Sequence, residues 1–289
     1  MALGQIGHVI LGAGSDSHGV HHMGARADWW LLWRAAEDVA QCATFIAQGL
    51  KTQAIHTMRY CYFVYFEFDR INPDSSGQAP VALGQALVRL KGLTQALVHT
   101  PLPADTPHAF PDDQNRPDLA WQLYADQPED MEAWLARDGA LNQALPELLA
   151  QMGTGGRVVQ QQIMLNRRFP TAQNAGVDSA TYLVHYPGQA QDLNAWNTHY
   201  LDHHPDIMQT FPGIQGIEIY TRLDWVGGLP GPRVDFMQRN KVVFADAHAL
   251  SAALLSPVIH DMRADFHRFP PFSGGNVHHP MATHAAVIP

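Results

Sequence analysis

The sequence predicts an α+β protein in which two β-α-β-β-α-β units close into one barrel with an internal cavity, and three observations carry that expectation. The first is order: strand runs and helical patterns follow the same succession over residues 59–170 and 171–289. Landmarks correspond, Gly92-Leu93 beside Gly213-Ile214 and Trp121-Gln122-Leu123-Tyr124-Ala125-Asp126 beside Val242-Val243-Phe244-Ala245-Asp246, so the pattern reads as an internal duplication of about 120 residues. The second is that strand runs such as Tyr62-Phe63-Val64-Tyr65-Phe66 are apolar at nearly every position, as strands covered on both faces are. The third is scale. With 289 residues, 46% hydrophobic and 16% charged, the chain has length for two modest globular domains.

Residues 9–26 are rich in Gly, Ser and His and read as a loop, followed from Asp28 to Leu50 by a helical stripe of Trp29, Leu32, Trp33, Ala36, Val39 and Ala43. Residues 1–58 are thus a loop-and-helix extension. The Gly12-Ala13-Gly14-Ser15-Asp16-Ser17 run lacks the third glycine and the strand-to-helix setting of a dinucleotide site. Arg59 to Phe68 is a strand, ended by Asn72-Pro73-Asp74-Ser75-Ser76-Gly77. A helix from Val81 to Lys91 stops at Gly92; strands at Leu93 to His99 and Leu119 to Ala125 flank a Pro-rich and Asp-rich loop. A helix from Pro128 to Ala150, with an acidic first turn, and a strand from Arg157 to Asn166 complete the first unit. In the second, Thr181 to Tyr186 is a strand, Leu193 to Thr210 a helix, Ile214 to Thr221 a strand, Leu223 to Phe236 a loop, and Lys241 to Ala245 a strand. His248 to Phe269 is helical with a break at Pro257, and a closing strand falls within 272–288. This order is that of the ferredoxin-like unit, two helices on one face of a four-stranded sheet.

A formal net charge of −9 and a pI near 6.0 give no electrostatic reason for nucleic acid or an anionic membrane to bind. Two cysteines, Cys42 and Cys61, are too few for a disulfide framework or a cysteine zinc site, and fit a cytoplasmic protein. Neither a leader segment nor a membrane-length apolar run is read.

Most of the plausible chemistry lies between residues 181 and 220. Trp196, Tyr200 and His204 are four apart, so each sits about 40° round from the last on one helix face. Pro205 lacks an N–H and biases His204 away from the helical region, which predicts a break or kink there that frees the Leu201 carbonyl. His203 lies off that face, toward solvent or a rim. His185 ends the strand Leu183-Val184-His185-Tyr186 and points either into the barrel or toward the helices.

Val184-His185-Tyr186-Pro187, the Trp196-Tyr200-His204-Pro205 helix and Pro212-Gly213-Ile214 resemble the EthD-like family of dimeric α+β barrel proteins. So do Val242-Val243-Phe244, Leu250, Ala253-Leu254-Leu255-Ser256-Pro257, Asp265 and Phe269-Pro270. The resemblance covers residues 171–289 as an EthD-like repeat; residues 59–170 look like a diverged copy whose first helix has neither the Tyr nor the His-Pro pair. It implies ferredoxin-like units paired into a barrel, and cofactor-free monooxygenase, isomerase, dehydratase or decarboxylase chemistry on oxygenated or aromatic metabolites. It also implies one surviving site of two.

The expected site is His204 as acid/base, Tyr200 as its hydrogen-bonding partner and Trp196 as a cavity wall, with His185 and His203 contacting a small-molecule substrate and no metal or other cofactor. Two alternatives stand beside it: a non-catalytic ligand-binding or stress-related barrel, and a metal or haem protein. The second would use His199 and His203, four apart, or His278, His279 and His284. Arg167-Arg168 and Arg233 to Arg239 read as solvated faces or, more sharply, as contacts for a substrate carboxylate. Trp29, Trp30 and Trp33 offer an apolar face through which two copies could pair as a homodimer.

Overall fold

The computed structural model describes residues 59–72, 87, 90–102 and 116–286; the 1–58 extension and most of the Val81 to Lys91 helix lie outside them. The first half supplies β1 (Arg59–Glu67), the short β2 (Arg70–Ile71), β3 (Leu93–Pro101), β4 (Leu119–Ala125), α1 (Pro128–Leu135), α2 (Ala140–Met152), the short β5 (Gly153–Thr154) and β6 (Arg157–Phe169). The second supplies β7 (Asp178–Tyr186), α3 (Leu193–Met208), β8 (Gly216–Arg222), β9 (Gln238–Phe244), α4 (Ala247–Leu254), α5 (Val258–Phe266) and β10 (Val277–Ala286). Eight strands form a closed antiparallel barrel in the order β1-β4-β3-β10-β7-β9-β8-β6. The halves meet at two seams, β6 with β8 (Met164 opposite Arg222 through Phe169 opposite Ile217) and β10 with β3 (Met281 opposite Pro101 through Ala286 opposite Ala96). Closure leaves no sheet edge unpaired, so the continuous apolar strands are protected.

Alternation along the strands separates three cores. Cys61, Phe63, Tyr65, Tyr124, Met164, Leu183, Tyr220 and Met281 point inward and fill much of the barrel. Outward-facing Tyr62, Val64, Phe66, Trp121 and Leu123 pack beneath α1 and α2 with Met131, Trp134, Leu145 and Leu148. Tyr182, Val184, Tyr186, Val242 and Phe244 pack beneath α3, α4 and α5 with Trp196, Tyr200, Leu250 and Phe269.

Element type follows the sequence reading closely, with three corrections. The expected 128–150 helix is two helices, because the chain turns at Gly139, where a Cβ would lie 2.3 Å from the Trp134 carbonyl oxygen. Strand β9 begins at Gln238, ahead of the polar Arg239-Asn240-Lys241 run, since its inward face is a polar barrel interior rather than an apolar core. Helix α3 runs unbroken through Pro205. Asp192 caps its start by accepting from the Ala195 N–H at 2.9 Å, and Trp196, Tyr200, His204 and Met208 are buried along one face on both sides of the proline, so packing outweighs the cost of about 3 kcal/mol for proline inside a helix. No helix of the described residues is long and apolar enough to cross a membrane.

Candidate functional site

The four-residue spacing of α3 and the alternation of β7 and β9 converge on a cavity of about 400 Å³ between the outer face of β7 and β9 and the helices that cover it. Tyr182, Val184, Tyr186, Asn240 and Val242 form its floor, Ile259, Met262 and Phe266 of α5 its roof, with His204 on one wall and Arg263, His267 and His278 also lining it. His204 Nδ1 lies 2.7 Å from Asp265 Oδ2 of α5, both side chains buried. A carboxylate accepts, so Nδ1 carries the proton and Nε2 is left as the basic nitrogen, without a protein partner among the described residues. His199 Nε2 reaches the other Asp265 oxygen at 3.3 Å.

Burial pushes His204 below the ordinary imidazole range, and the pull of Asp265 the other way offsets that only in part. For Asp265, burial alone would raise the carboxyl, but hydrogen bonds from His204 and His199 outweigh it and hold it below its usual value. At neutral pH the pair is therefore neutral imidazole beside carboxylate, a base oriented by an acid group, which is the arrangement general-base chemistry requires.

The other expected site residues fall into different places. Tyr200 packs against His204 with ring centroids 4.6 Å apart and the rings tilted, but its hydroxyl accepts from Asn240 Nδ2 at 2.6 Å; the partner on His204 is Asp265, not Tyr200. Trp196 is wholly buried among Tyr186, Tyr200, Phe269 and Phe272, behind the cavity rather than on its wall. His203 is exposed, its Nδ1 donating to the His199 carbonyl one turn back at 2.8 Å, because it lies about 100° off the His204 direction. His185 points into the barrel, on the opposite sheet face from the cavity.

There His185 Nδ1 accepts from Arg239 at 3.1 Å, which leaves Nε2–H to face the Tyr65 oxygen at 2.9 Å. Arg239 is fully buried between the rings of Phe63 and Phe236, so the expectation that it lies on a solvated face is corrected. Burial, then the Arg239 charge, hold His185 well below the ordinary imidazole range. The histidine clusters also separate: alternation on β10 sends His278 to the helix side, stacked on Tyr182, and His279 inside against His185. His284 pairs with Asp178. Among the described residues no three His, Cys, Asp or Glu side chains come together as metal ligands.

Sequence reasoning missed Asn240 and the inward polar row of β8 and β9. It met Asp265 only within the family resemblance, since sixty-one positions separate it from His204 and no spacing rule links them.

No family model matches the chain, and no curated protein is similar to it in sequence. Among solved structures, an anthrone oxidase-like protein superposes with a TM-score of 0.52 at 13% identity, covering 81% of this chain and 96% of its own. An EthD family protein of Bacillus halodurans C-125 aligns with 33% of this chain and 92% of its own at 16% identity and a TM-score of 0.28. A mutant chlorite dismutase from Candidatus Nitrospira defluvii, in complex with cyanide, covers 79% of this chain and 92% of its own at 11% identity and a TM-score of 0.41. The first of these likenesses shows a shared fold, and at such identities none carries a reaction.

Proposed function

We propose that the chain is a tandem ferredoxin-like, EthD-like enzyme that moves a proton on an oxygenated or aromatic metabolite in the cavity beneath α3 and α5. The carrying observation is the His204–Asp265 pair: with Nδ1–H held at 2.7 Å by Asp265, Nε2 is the unpartnered basic nitrogen of a residue lining a 400 Å³ cavity. His204 is the catalytic acid/base and Asp265 the positioning residue. Tyr200 positions Asn240, whose amide lines the same cavity.

The walls, Tyr182, Tyr186, Val242, Met262 and Phe266, suit an aromatic or apolar body, and Asn240 and Arg263 supply polar contacts for an oxygen function. Abstraction of an acidic C–H proton by Nε2, and its return at the same or another atom, is the step shared by isomerase, lyase and cofactor-free monooxygenase readings. Proton exchange tests it directly. In D₂O, an enolisable aromatic ketone such as anthrone should lose its acidic C–H signal by proton NMR faster with the wild type than with His204→Ala, by about a hundredfold or more. Equal rates with both folded proteins would overturn the reading.

A second reading draws on the same geometry. A metal-ligating histidine commonly donates its other N–H to a carboxylate, as His204 does to Asp265, so His204 Nε2 would be the atom to hold a haem iron, and the haem would supply redox chemistry. One-to-one uptake of haemin with a Soret band that is lost in His204→Ala would favour it; no saturable uptake would dismiss it.

A further inference from the structure

The inner face of the barrel is not used by the proton chemistry above, yet its mouth carries an uneven charge. A second cavity, of about 420 Å³, opens between β3, β6, β7, β8, β9 and β10. Of the residues lining it, two are cations, Arg168 and Lys241, and one is a carboxylate, Glu218. Lys241 is 2% exposed, and its ammonium stands 3.3 Å from Glu218 Oε1 and donates to the Tyr124 oxygen at 2.7 Å. Arg168, at the rim, also lies 3.3 Å from Glu218 Oε1 and donates to Gln95 Oε1 at 2.7 Å.

Glu218 is saturated. Its other oxygen accepts from Tyr220 at 2.5 Å, Asn166 at 2.9 Å and Tyr124 at 3.0 Å. Behind it, burial and then the Lys241 charge push His99 down to about 3, so its ring is neutral and adds no charge, while Gln122 donates to Tyr220 and its carbonyl oxygen accepts from His99 Nε2–H at 2.9 Å. One carboxylate therefore serves two cations, and a net positive charge remains in a cavity whose apolar lining includes Leu97, Phe169, Ile217 and Val243, beside neutral polar residues such as Thr171, Thr181 and Thr283. Low-dielectric walls concentrate such a charge on whatever enters.

We infer that this barrel mouth is a second small-molecule site, separate from the His204 cavity, that takes a monocarboxylate with an apolar body. The carboxylate supplies the anion that Arg168 and Lys241 lack, and the hydrocarbon lies against the apolar wall. Thr181 and Thr283, whose hydroxyl oxygens are 2.6 Å apart at the inner end, set the depth it can reach.

Isothermal titration of the full chain with hexanoate and benzoate, each against its neutral amide, tests the inference. Saturable one-to-one binding of at least one acid is expected, weaker by about tenfold or more for the amide. The acid should also bind about tenfold or more weakly to Arg168→Gln, where charge is removed at the half-buried rim, and to Ser179→Trp, where the mouth is filled and no charge changes. His204→Ala should bind it as the wild type does. The absence of saturable heat with either acid, equal binding of the amides, or full affinity in a folded Ser179→Trp would overturn the inference. Loss of binding in His204→Ala would do so as well, by moving the ligand to the outer cavity, and leaves the proton-transfer reading to its own test.

Discussion

Replacing Asp265 by Asn keeps an acceptor for His204 Nδ1–H at nearly the same place and removes only the charge. The charged and neutral forms of His204 then differ in one respect: the imidazolium loses a carboxylate 2.7 Å from its nitrogen. A charge-assisted hydrogen bond contributes about 1.5–3 kcal/mol and a neutral one about 0.5–1.5, so the imidazolium is destabilised by roughly 1–2 kcal/mol relative to the imidazole. At about 1.4 kcal/mol per unit, His204, already held below the ordinary histidine range by burial, should fall by about one further unit. Titration of the His204 Cε1–H NMR signal, assigned by its loss in His204→Gln, measures this directly. If a proton-exchange activity is found, its acid limb should move to lower pH by the same amount while the plateau rate drops, because a weaker base abstracts more slowly. A His204 value that rises, or does not move, in a folded Asp265→Asn would refute the argument that Asp265 stabilises the imidazolium. Stability has a definite sign too. His204 and Asp265 both titrate lower folded than unfolded, so their contribution is complete above the unfolded histidine value of about 6.5 and declines as pH falls below it, first through His204 and then through Asp265.

Tyr200→Phe should cost about 1–3 kcal/mol in chemical denaturation, because Asn240 Nδ2 loses its 2.6 Å acceptor in a buried site; a change within error would mean that the amide finds another partner. Glu218→Gln should cost about 3–5 kcal/mol by stranding Lys241 and Arg168, and an unchanged midpoint would refute the shared-carboxylate account. Burial alone would raise Glu218, but Lys241 and Arg168 hold it at about 2, so in the wild type that contribution is present above the unfolded value of about 4.3 and is lost as pH falls toward 2. Pro205→Ala should raise the thermal midpoint, since it restores an N–H inside an intact helix, where proline costs up to about 3 kcal/mol; a lower midpoint would show that the ring's packing matters more. Gly188→Ala should lower the midpoint well beyond Gly213→Ala: a Cβ at Gly188 would meet the Ser273 carbonyl oxygen at 1.7 Å, whereas Gly213, at φ +74°, has open space and faces only the strain of about 1 kcal/mol of a left-handed residue.

The fold was legible because its signals are local. Runs such as Tyr62 to Phe66 and the Trp196-Tyr200-His204 stripe state their element type without reference to distant residues, and the elements they predict form. The proline break was misread for the same reason: a local steric rule was applied where burial of four side chains on one face decides the outcome. Of the candidate site, one part was legible, namely that His204 of α3 lines a cavity. Its partner was not, because Asp265 comes from α5 and is brought to His204 only by the packing of two helices over one sheet. The barrel interior was hidden by alternation. In Gln238-Arg239-Asn240-Lys241 every residue is polar, and only the closed topology shows that Arg239 and Lys241 point inward while Asn240 joins the cavity on the other face.

Among the described residues the two outer layers differ in a way that supports the proposed proton chemistry in the second half. Beneath α1 and α2, the sheet face and its cover include Tyr62, Val64, Phe66, Trp121, Leu123, Trp134, Leu145 and Leu148, and none of the described residues there is a buried carboxylate or imidazole. Tyr62 there donates to Gln161 at 3.0 Å, and burial pushes its phenol well above the ordinary range, so it holds its proton. Beneath α3 and α5, the same kind of sheet face carries Asn240 and two tyrosines, and its cover carries His204 and Asp265. Burying that pair costs desolvation that an apolar pair of the same volume would avoid. A cavity beside the free nitrogen adds a packing cost as well. Two such costs at one point support the proposal that this layer binds a molecule.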